Sequence, residues 1–321
     1  SIAECERQSH PGRSLASSRQ RGAPSARHGS DRDGGRGKRA AVSERTEGGR
    51  HRPRKRFGQH FLVDRGVVRR IVSLVDPQAG EVVLEIGPGR GALTDSLAEA
   101  LPRLLAVEID RDLAAALRSR LGEPNLRLIE ADILQLDMGD ILREEGGESL
   151  LLVGNLPYNI TAPLLFRMLE EAGKISRAIL MVQREVARRL VARSDSKEYG
   201  LITVLLAMHA EVEVRLEVGR RSFRPAPRVD SSVIEVRFSA ACRRPVRDEA
   251  LFGRLVRTAF GQRRKMLRNS LLGLTASGKR EELEGLAERA EVELTRRPES
   301  LSLEEFARLA DELALMERDC Q

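Results

Sequence analysis

Four short clusters carry the side chains that could do chemistry in this sequence. Glu85-Ile-Gly-Pro-Gly-Arg-Gly91 closes an apolar run and opens a helical pattern. Gly87 and Gly89 let the main chain bend sharply and come close to a ligand where a Cβ would stand in the way. Gly87-x-Gly89-x-x-Ala92 satisfies a relaxed dinucleotide fingerprint, and a purely structural tight turn satisfies it too. Two acids follow. Glu108 ends a second apolar run, where a carboxylate can accept from both hydroxyls of a ribose, and Asp132 ends a third, placed to accept from an adenine amino group.

The fourth cluster is Gly154-Asn155-Leu156-Pro157-Tyr158. Pro157 fixes its own φ and pushes Leu156 into an extended conformation. The Leu156 carbonyl and the Asn155 side-chain oxygen can then converge on one point, which suits an amino group with two hydrogens. Tyr158 offers a face for a base, worth roughly 1–3 kcal/mol by analogy with single-strand binders. A strand-ending turn with a packed tyrosine would read the same. Phe223 opens Phe-Arg-Pro-Ala-Pro-Arg-Val-Asp-Ser, whose two prolines stiffen a loop before a strand. It is a second candidate face, or an ordinary packed aromatic.

These clusters need a scaffold, and the pattern supplies one. Val82–Gly87, Leu104–Asp110, Leu126–Asp132, Leu150–Pro157 and Ala178–Gln183 read as short buried strands. Between them Ala92–Leu101, Arg111–Leu121, Ala162–Glu171 and Arg184–Ala192 read as helices. Strands buried on both faces and alternating with helices predict a parallel, doubly wound α/β sheet. Both acids then fall at carboxyl ends of strands, the edge where open α/β sheets bind ligands. Beyond Phe238 the strand signals stop. Leu251–Leu272, Glu281–Ala290 and Leu303–Met316 read as amphipathic helices, broken by Gly273, Gly278 and Pro298.

The chain has 321 residues, 55 Lys+Arg against 48 Asp+Glu, and 41% hydrophobic residues. That is chain enough for a real core, and it excludes collagen, a disulfide mini-protein and a wholly disordered acidic chain. Glu211, Glu213 and Arg215 cut the longest apolar candidate, Leu201–Val214, below the length of a membrane span, so a protein without membrane association is expected. Cys5, Cys242 and Cys320 lie far apart, which suggests neither a disulfide framework nor a metal site. The basic surplus sits in the first 56 residues, with 15 basic and 6 acidic side chains. Residues 1–51 are expected to be a disordered basic tail. In the body, residues 215–268 hold 15 basic and 5 acidic residues, between blocks that are each net negative by six. Such a block can grip phosphates, although charge runs also form plain wet surfaces. Arg220, Arg221, Arg224, Arg228, Arg263, Arg264 and Lys265 are the candidates, with Arg264 and Arg268 also readable as partners of acidic helices.

The stretches RKRFGQHFLVD (54–64), LEIGPGRGALT (84–94), EID (108–110), NLPYNIT (155–161), FRPAPRVDSSV (223–233) and QRRKMLRNSL (262–271) together resemble the ribosomal RNA adenine dimethyltransferases. The resemblance is greatest to their bacterial small-subunit branch and runs from about Arg52 to about Glu317. It implies a Rossmann-like S-adenosylmethionine-dependent methyltransferase domain over residues 52–241 and a small C-terminal helical domain over 242–321. It implies transfer of two methyl groups to N6 of each of two adjacent adenines near the 3′ end of 16S rRNA, within the small ribosomal subunit. Carried over by motif, His60, Leu62, Gly87, Gly89, Glu108, Asp132 and Asn155 hold the cofactor. Asn155, Leu156, Pro157, Tyr158 and Phe223 hold the target. Position 60 is Asn in many relatives and His here, so its hydrogen bonds are open. A cytoplasmic, monomeric enzyme without a metal is expected. The rivals are the large-subunit dimethyltransferases of the macrolide-resistance type, an RNA-binding or transcription-factor role on the same fold, and an NAD-binding oxidoreductase, for which Asn155–Tyr158 has no purpose.

Overall fold

The computed structural model describes residues 60–120, 124–239, 241, 243–275 and 278–319. The expected tail 1–51, the segment 54–59 and Cys5, Cys242 and Cys320 lie outside them. The chain enters as a two-residue strand β1 (Phe61–Leu62) and helix α1 (Arg65–Val72). Asp64 caps that helix by accepting from the Gly66 and Val67 N–H groups. Then follow β2 (Glu81–Ile86), α2 (Thr94–Ala100), β3 (Leu104–Glu108), α3 (Arg111–Arg120), β4 (Leu126–Glu130) and α4 (Met138–Glu145). The alternation continues with β5 (Ser149–Asn155), α5 (Thr161–Glu170), β6 (Ile175–Gln183) and α6 (Arg184–Leu190). Helix α7 (Leu201–Ala207) leads into β7 (Ala210–Val218), β8 (Phe223–Arg224) and β9 (Ser231–Phe238).

Seven strands form one sheet in the order β4-β3-β2-β5-β6-β9-β7, and β1 pairs separately with β8. Strands β2 to β6 are parallel, as the buried runs predict; Leu150, Leu151, Leu152 and Val153 of β5 are each 0% exposed. β9 runs antiparallel to both β6 and β7, so the sheet is mixed, a feature the run pattern leaves open. The chain winds outward from β2 in one direction and from β5 in the other. The point of reversal therefore lies between β2 and β5, and their carboxyl ends carry Gly87 and Asn155.

Two corrections to the sequence reading concern element limits, and the apolar run Leu201–Val214, left without an element there, also resolves. The run Leu201–Val214 is not one element: it divides into α7 and β7, because Glu211, Glu213 and Arg215 alternate outward on an edge strand. The predicted helix Leu251–Leu272 is broken in its middle. Helix α8 (Glu249–Gly261), capped by Asp248, stops before the polar run Gln262–Lys265, and α9 spans only Leu267–Ser270. Four polar residues interrupt the apolar periodicity there. The Leu267 and Arg268 N–H groups then bond to the Arg296 and Leu294 carbonyls, which captures the chain in a new direction. Asp132 lies two residues past the end of β4, in a turn.

α8 packs with α10 (Arg280–Arg289) and α11 (Leu303–Asp319) around Phe252, Leu255, Leu286, Phe306 and Leu309. Tyr199, Val204, Leu205 and Met208, from α7 and its flanks, belong to the same apolar cluster. Leu206, on the opposite side of α7, belongs to the cluster under the sheet with Ile234 and Val236. One helix thus carries both cores. Among the described residues no helix is long and apolar enough to cross a membrane.

Candidate active site

A cavity of about 320 Å³ opens at the reversal point, walled by the carboxyl ends of β2, β3 and β5 and roofed by β1. It gathers His60, Leu62, Gly87, Gly89, Glu108, Asp132, Asn155 to Tyr158, and Phe223. Every residue singled out from the first three clusters, the Asn-Leu-Pro-Tyr turn and the Phe223 loop therefore meets at one place.

Gly87 (φ +66°) and Gly89 (φ +58°) are both left-handed. A Cβ on Gly87 would point into open space in the cavity, and one on Gly89 would lie 3.3 Å from the Phe61 ring. The glycines thus serve both the turn and the void. Glu108 is buried, and its oxygens accept from the Gly89 N–H (3.0 Å) and the Asp110 N–H (2.9 Å). Burial pushes its carboxyl above the ordinary range against the pull of those bonds. Asp132 Oδ1 accepts from the Leu134 N–H at 3.0 Å, an Asx turn that fixes the carboxylate at the cavity wall.

Sequence reasoning missed Glu85. It is 1% exposed, lines the cavity, and its Oε2 has no hydrogen-bond partner. Burial raises its pKa to about 8, opposed by the Thr94 hydroxyl and reinforced by Asp95 and Glu108, so at neutral pH it is mostly a neutral acid. An acid inside an otherwise apolar run, two residues before the first glycine, was the available signal. Phe61 and Arg90 were missed as well: the Arg90 guanidinium lies 4.3 Å over the Phe61 ring at the cavity mouth.

At the end of β5, Asn155 Nδ2 donates to the His60 carbonyl at 3.0 Å. The Pro157 carbonyl is taken by the Ile160 N–H and the Thr161 hydroxyl, which locks the turn after Leu156. Tyr158 is half-buried, and burial pushes its phenol pKa up while Ser231 pulls it part of the way back. Its ring faces that of His60 with centroids 5.5 Å apart. Phe223 departs from the expected open face. It is 1% exposed and packed with Leu62, Val218 and Val233, because pairing of β8 with β1 folds it inward. It is a wall of the cavity, and a base could stack on it only after the strand pair moves.

The basic block divides by partner. Arg215, Arg237, Arg243 and Arg254 are tied to Glu213, Glu235, Glu249 and Glu317. Arg263 donates to the Lys197 carbonyl at 2.7 Å and lies 3.8 Å from Glu299, so it is a bracing residue. Arg264 and Lys265 are exposed, as are Arg220, Arg221, Arg224 and Arg228, and none of these six forms an ion pair among the described residues. Arg264 and Arg268, considered as partners of acidic helices, form no ion pair among the described residues, whereas Arg263 lies near Glu299. Helix α6 and the segment after it connect the two basic groups. Arg184 pairs with Asp230 at 3.0 Å at one end, and Lys197 meets Arg263 at the other.

A sheet whose parallel strands reverse at β2/β5, an antiparallel β9 inserted before the last strand, and a nucleoside-sized cleft with three acids define a Rossmann-like methyltransferase. The chain belongs to the ribosomal RNA adenine dimethylase family, whose model matches residues 50–310. It is 45% identical over 260 residues to the ribosomal RNA small subunit methyltransferase A of Leptothrix cholodnii, covering 81% of this chain and 91% of that protein. It is 43% identical to the protein of the same name from Pseudomonas aeruginosa, covering 82% and 96%. Among solved structures, a dimethyladenosine transferase from Plasmodium falciparum shares the fold at a TM-score of 0.67 and 23% identity, covering 78% of this chain and 96% of that one. The 23S rRNA methyltransferase ErmE matches at 0.60 and 29% identity, covering 79% and 99%.

Proposed function

We propose that this protein is the S-adenosylmethionine-dependent enzyme that dimethylates N6 of two adjacent adenines near the 3′ end of 16S rRNA. The observation that carries the reading is the Asn155 amide. Its Nδ2 is committed to the His60 carbonyl, so Oδ1 is the end available to an amino group in the cavity. The identities of 43–45% to small-subunit enzymes, against 29% to ErmE, favour small-subunit over large-subunit rRNA.

The site fits the cofactor on its own terms. Glu108 keeps lone pairs beyond its two backbone bonds for ribose hydroxyls, and Asp132 keeps one oxygen for an adenine amine. Gly87 leaves the space a Cβ would fill, and the orphaned Glu85 Oε2 awaits a donor or cation. His60 and Leu62 close the methionine side. Bound there, S-adenosylmethionine supplies a methyl group activated by a sulfonium charge.

The residues of the chain then have three tasks. Asn155 Oδ1 and the Leu156 carbonyl accept from the target amine, which favours a pyramidal nitrogen with its lone pair free for in-line attack. Tyr158 offsets the few kcal/mol of unstacking the base by stacking with it. Water takes the proton from the acidic ammonium product, so no strong base is needed. We assign residues 52–241 to transfer and 242–321, with Arg264 and Lys265, to holding rRNA phosphates together with Arg220, Arg221, Arg224 and Arg228. The enzyme acts as a cytoplasmic monomer without a metal. Purified protein with labelled cofactor should yield dimethyladenosine in unmethylated small subunits, and Asn155→Ala should lower the rate at least about 100-fold. Label mapping to large-subunit rRNA, or tight RNA binding without transfer, refutes the proposal.

A further inference from the structure

We propose that His60 is a positioning residue: its ring latches the cofactor-side strand β1 to the target-side segment at Pro225, and its carbonyl sets the orientation of the Asn155 amide. What the two sides bind rests on the methyl-transfer reading; the latch itself rests on geometry.

The Asn155 Nδ2 to His60 carbonyl distance is 3.0 Å. A carbonyl only accepts, so a flipped amide would set two oxygens against each other, and the bond fixes which end of Asn155 faces the cavity. The His60 Nδ1 lies 2.8 Å from the Pro225 carbonyl. By the same logic Nδ1 carries the hydrogen, and the neutral ring is the Nδ1–H tautomer with its lone pair on Nε2. The ring also packs against Tyr158, the proposed stacking face. His60 therefore touches Asn155 and Tyr158, two of the residues that would hold the target base, and the loop that follows Phe223.

The latch is the last rung of a ladder between 60–64 and 222–225. Phe61 pairs with Arg224 and Leu62 with Phe223. The Val63 N–H donates to the Ser222 carbonyl (2.9 Å), and the Ser222 hydroxyl donates to Asp64 Oδ2 (3.0 Å). On its other side the same strand reaches the glycine turn, through Phe61 against Gly89 and beneath Arg90. A shift of 222–225, which a base must cause to reach Phe223, is transmitted through His60 to Asn155 and through Phe61 to the glycine turn. Occupancy of the two half-sites is coupled through the adjacent residues His60 and Phe61.

The chemistry dictates an unusual substitution pattern. Nδ1 of His and Nδ2 of Asn stand at the same remove from Cα, whereas the Gln amide nitrogen stands one bond farther out. His60→Asn keeps a donor at the latch position; His60→Gln keeps a donor and misplaces it.

The test uses the full chain. With ¹⁵N-labelled histidine at pH 8, and the resonance assigned by its loss in His60→Asn, the ring should show the Nδ1–H, Nε2-lone-pair pattern. On unmethylated small subunits, His60→Gln and His60→Ala should lose about ten-fold in kcat, the worth of one hydrogen bond lost with its acceptor stranded. Their KM for S-adenosylmethionine and their calorimetric affinity for S-adenosylhomocysteine should move less than kcat, and His60→Asn should recover most of the rate. An Nε2–H tautomer, or an Asn variant no better than the Gln variant, overturns the latch. A wild-type protein that transfers nothing to small subunits would overturn the function reading instead, and the tautomer would then decide the latch alone.

Discussion

Replacing Glu85 by Gln tests whether the cavity holds a neutral buried acid. The folded-state pKa is about 8 against an ordinary 4.5, raised chiefly by burial. Between those values the folded protein holds a proton that the unfolded chain has released. Stability contributed by this group is therefore fully present below pH 4.5 and is lost as pH rises toward 8, at about 1.4 kcal/mol per pH unit, levelling off above. The whole window amounts to about 5 kcal/mol, of which about 3 kcal/mol falls between pH 5.5 and pH 9. Gln has nearly the same shape and no such titration, while every other titrating group is common to both proteins and cancels in the difference. Urea unfolding of the ligand-free proteins at half-unit steps from pH 5.5 to 9 should show wild type losing about 3 kcal/mol relative to Glu85→Gln as pH rises. Two profiles that stay parallel within about 0.5 kcal/mol would show that Glu85 is already ionised at pH 5.5, and would remove the reasoning that treats it as a neutral acid.

Gly87→Ala places a methyl in the cavity and an L side chain at φ +66°. It should cost about 1–2 kcal/mol of stability by denaturant midpoint, and calorimetry should show the loss in S-adenosylhomocysteine affinity exceeding about ten-fold. If Arg264 and Lys265 contact phosphates, the double alanine variant should flatten the plot of log affinity for small subunits against log salt by about 1.4–1.8. Equal slopes would mean that these two side chains form an ordinary wet surface. Deleting residues 1–50 should leave the transfer rate unchanged, and a large loss would show that the tail helps to hold RNA.

The sequence was most legible where one constraint acted alone. Leu150 to Val153 is apolar on both faces, and only a central parallel strand can bury it so. Gly87, Glu108, Asp132 and Asn155 could be placed together because each ends or follows a strand of the same sheet. Legibility failed where tertiary partners decided. The helix break at Gln262–Met266 depends on carbonyls of Leu294 and Arg296, which local periodicity does not contain. Phe223 looked like an exposed ring because its strand partner is only two residues long. Glu85 was overlooked because it stands at a position that should be apolar, and its burial became visible only once the surrounding strands were in place. Of the basic block, charge counting could not separate the braced Arg263 from its neighbours Arg264 and Lys265, which form no ion pair among the described residues.

Helix α7 gives one side to the core under the sheet and the other to the core of the C-terminal helices. On the proposed function, the cavity and the exposed pair Arg264 and Lys265 would act as the two jaws of a fixed caliper held by this shared helix. Their separation is set by packed side chains and does not breathe as a linker would. Such a tool would measure its substrate: on that reading an RNA is accepted when a flippable adenine and a backbone to grip occur at the span the jaws define. Selection then falls on the folded shape of the RNA more than on the letters around the target, and an isolated oligonucleotide with the right bases but no structure should be refused.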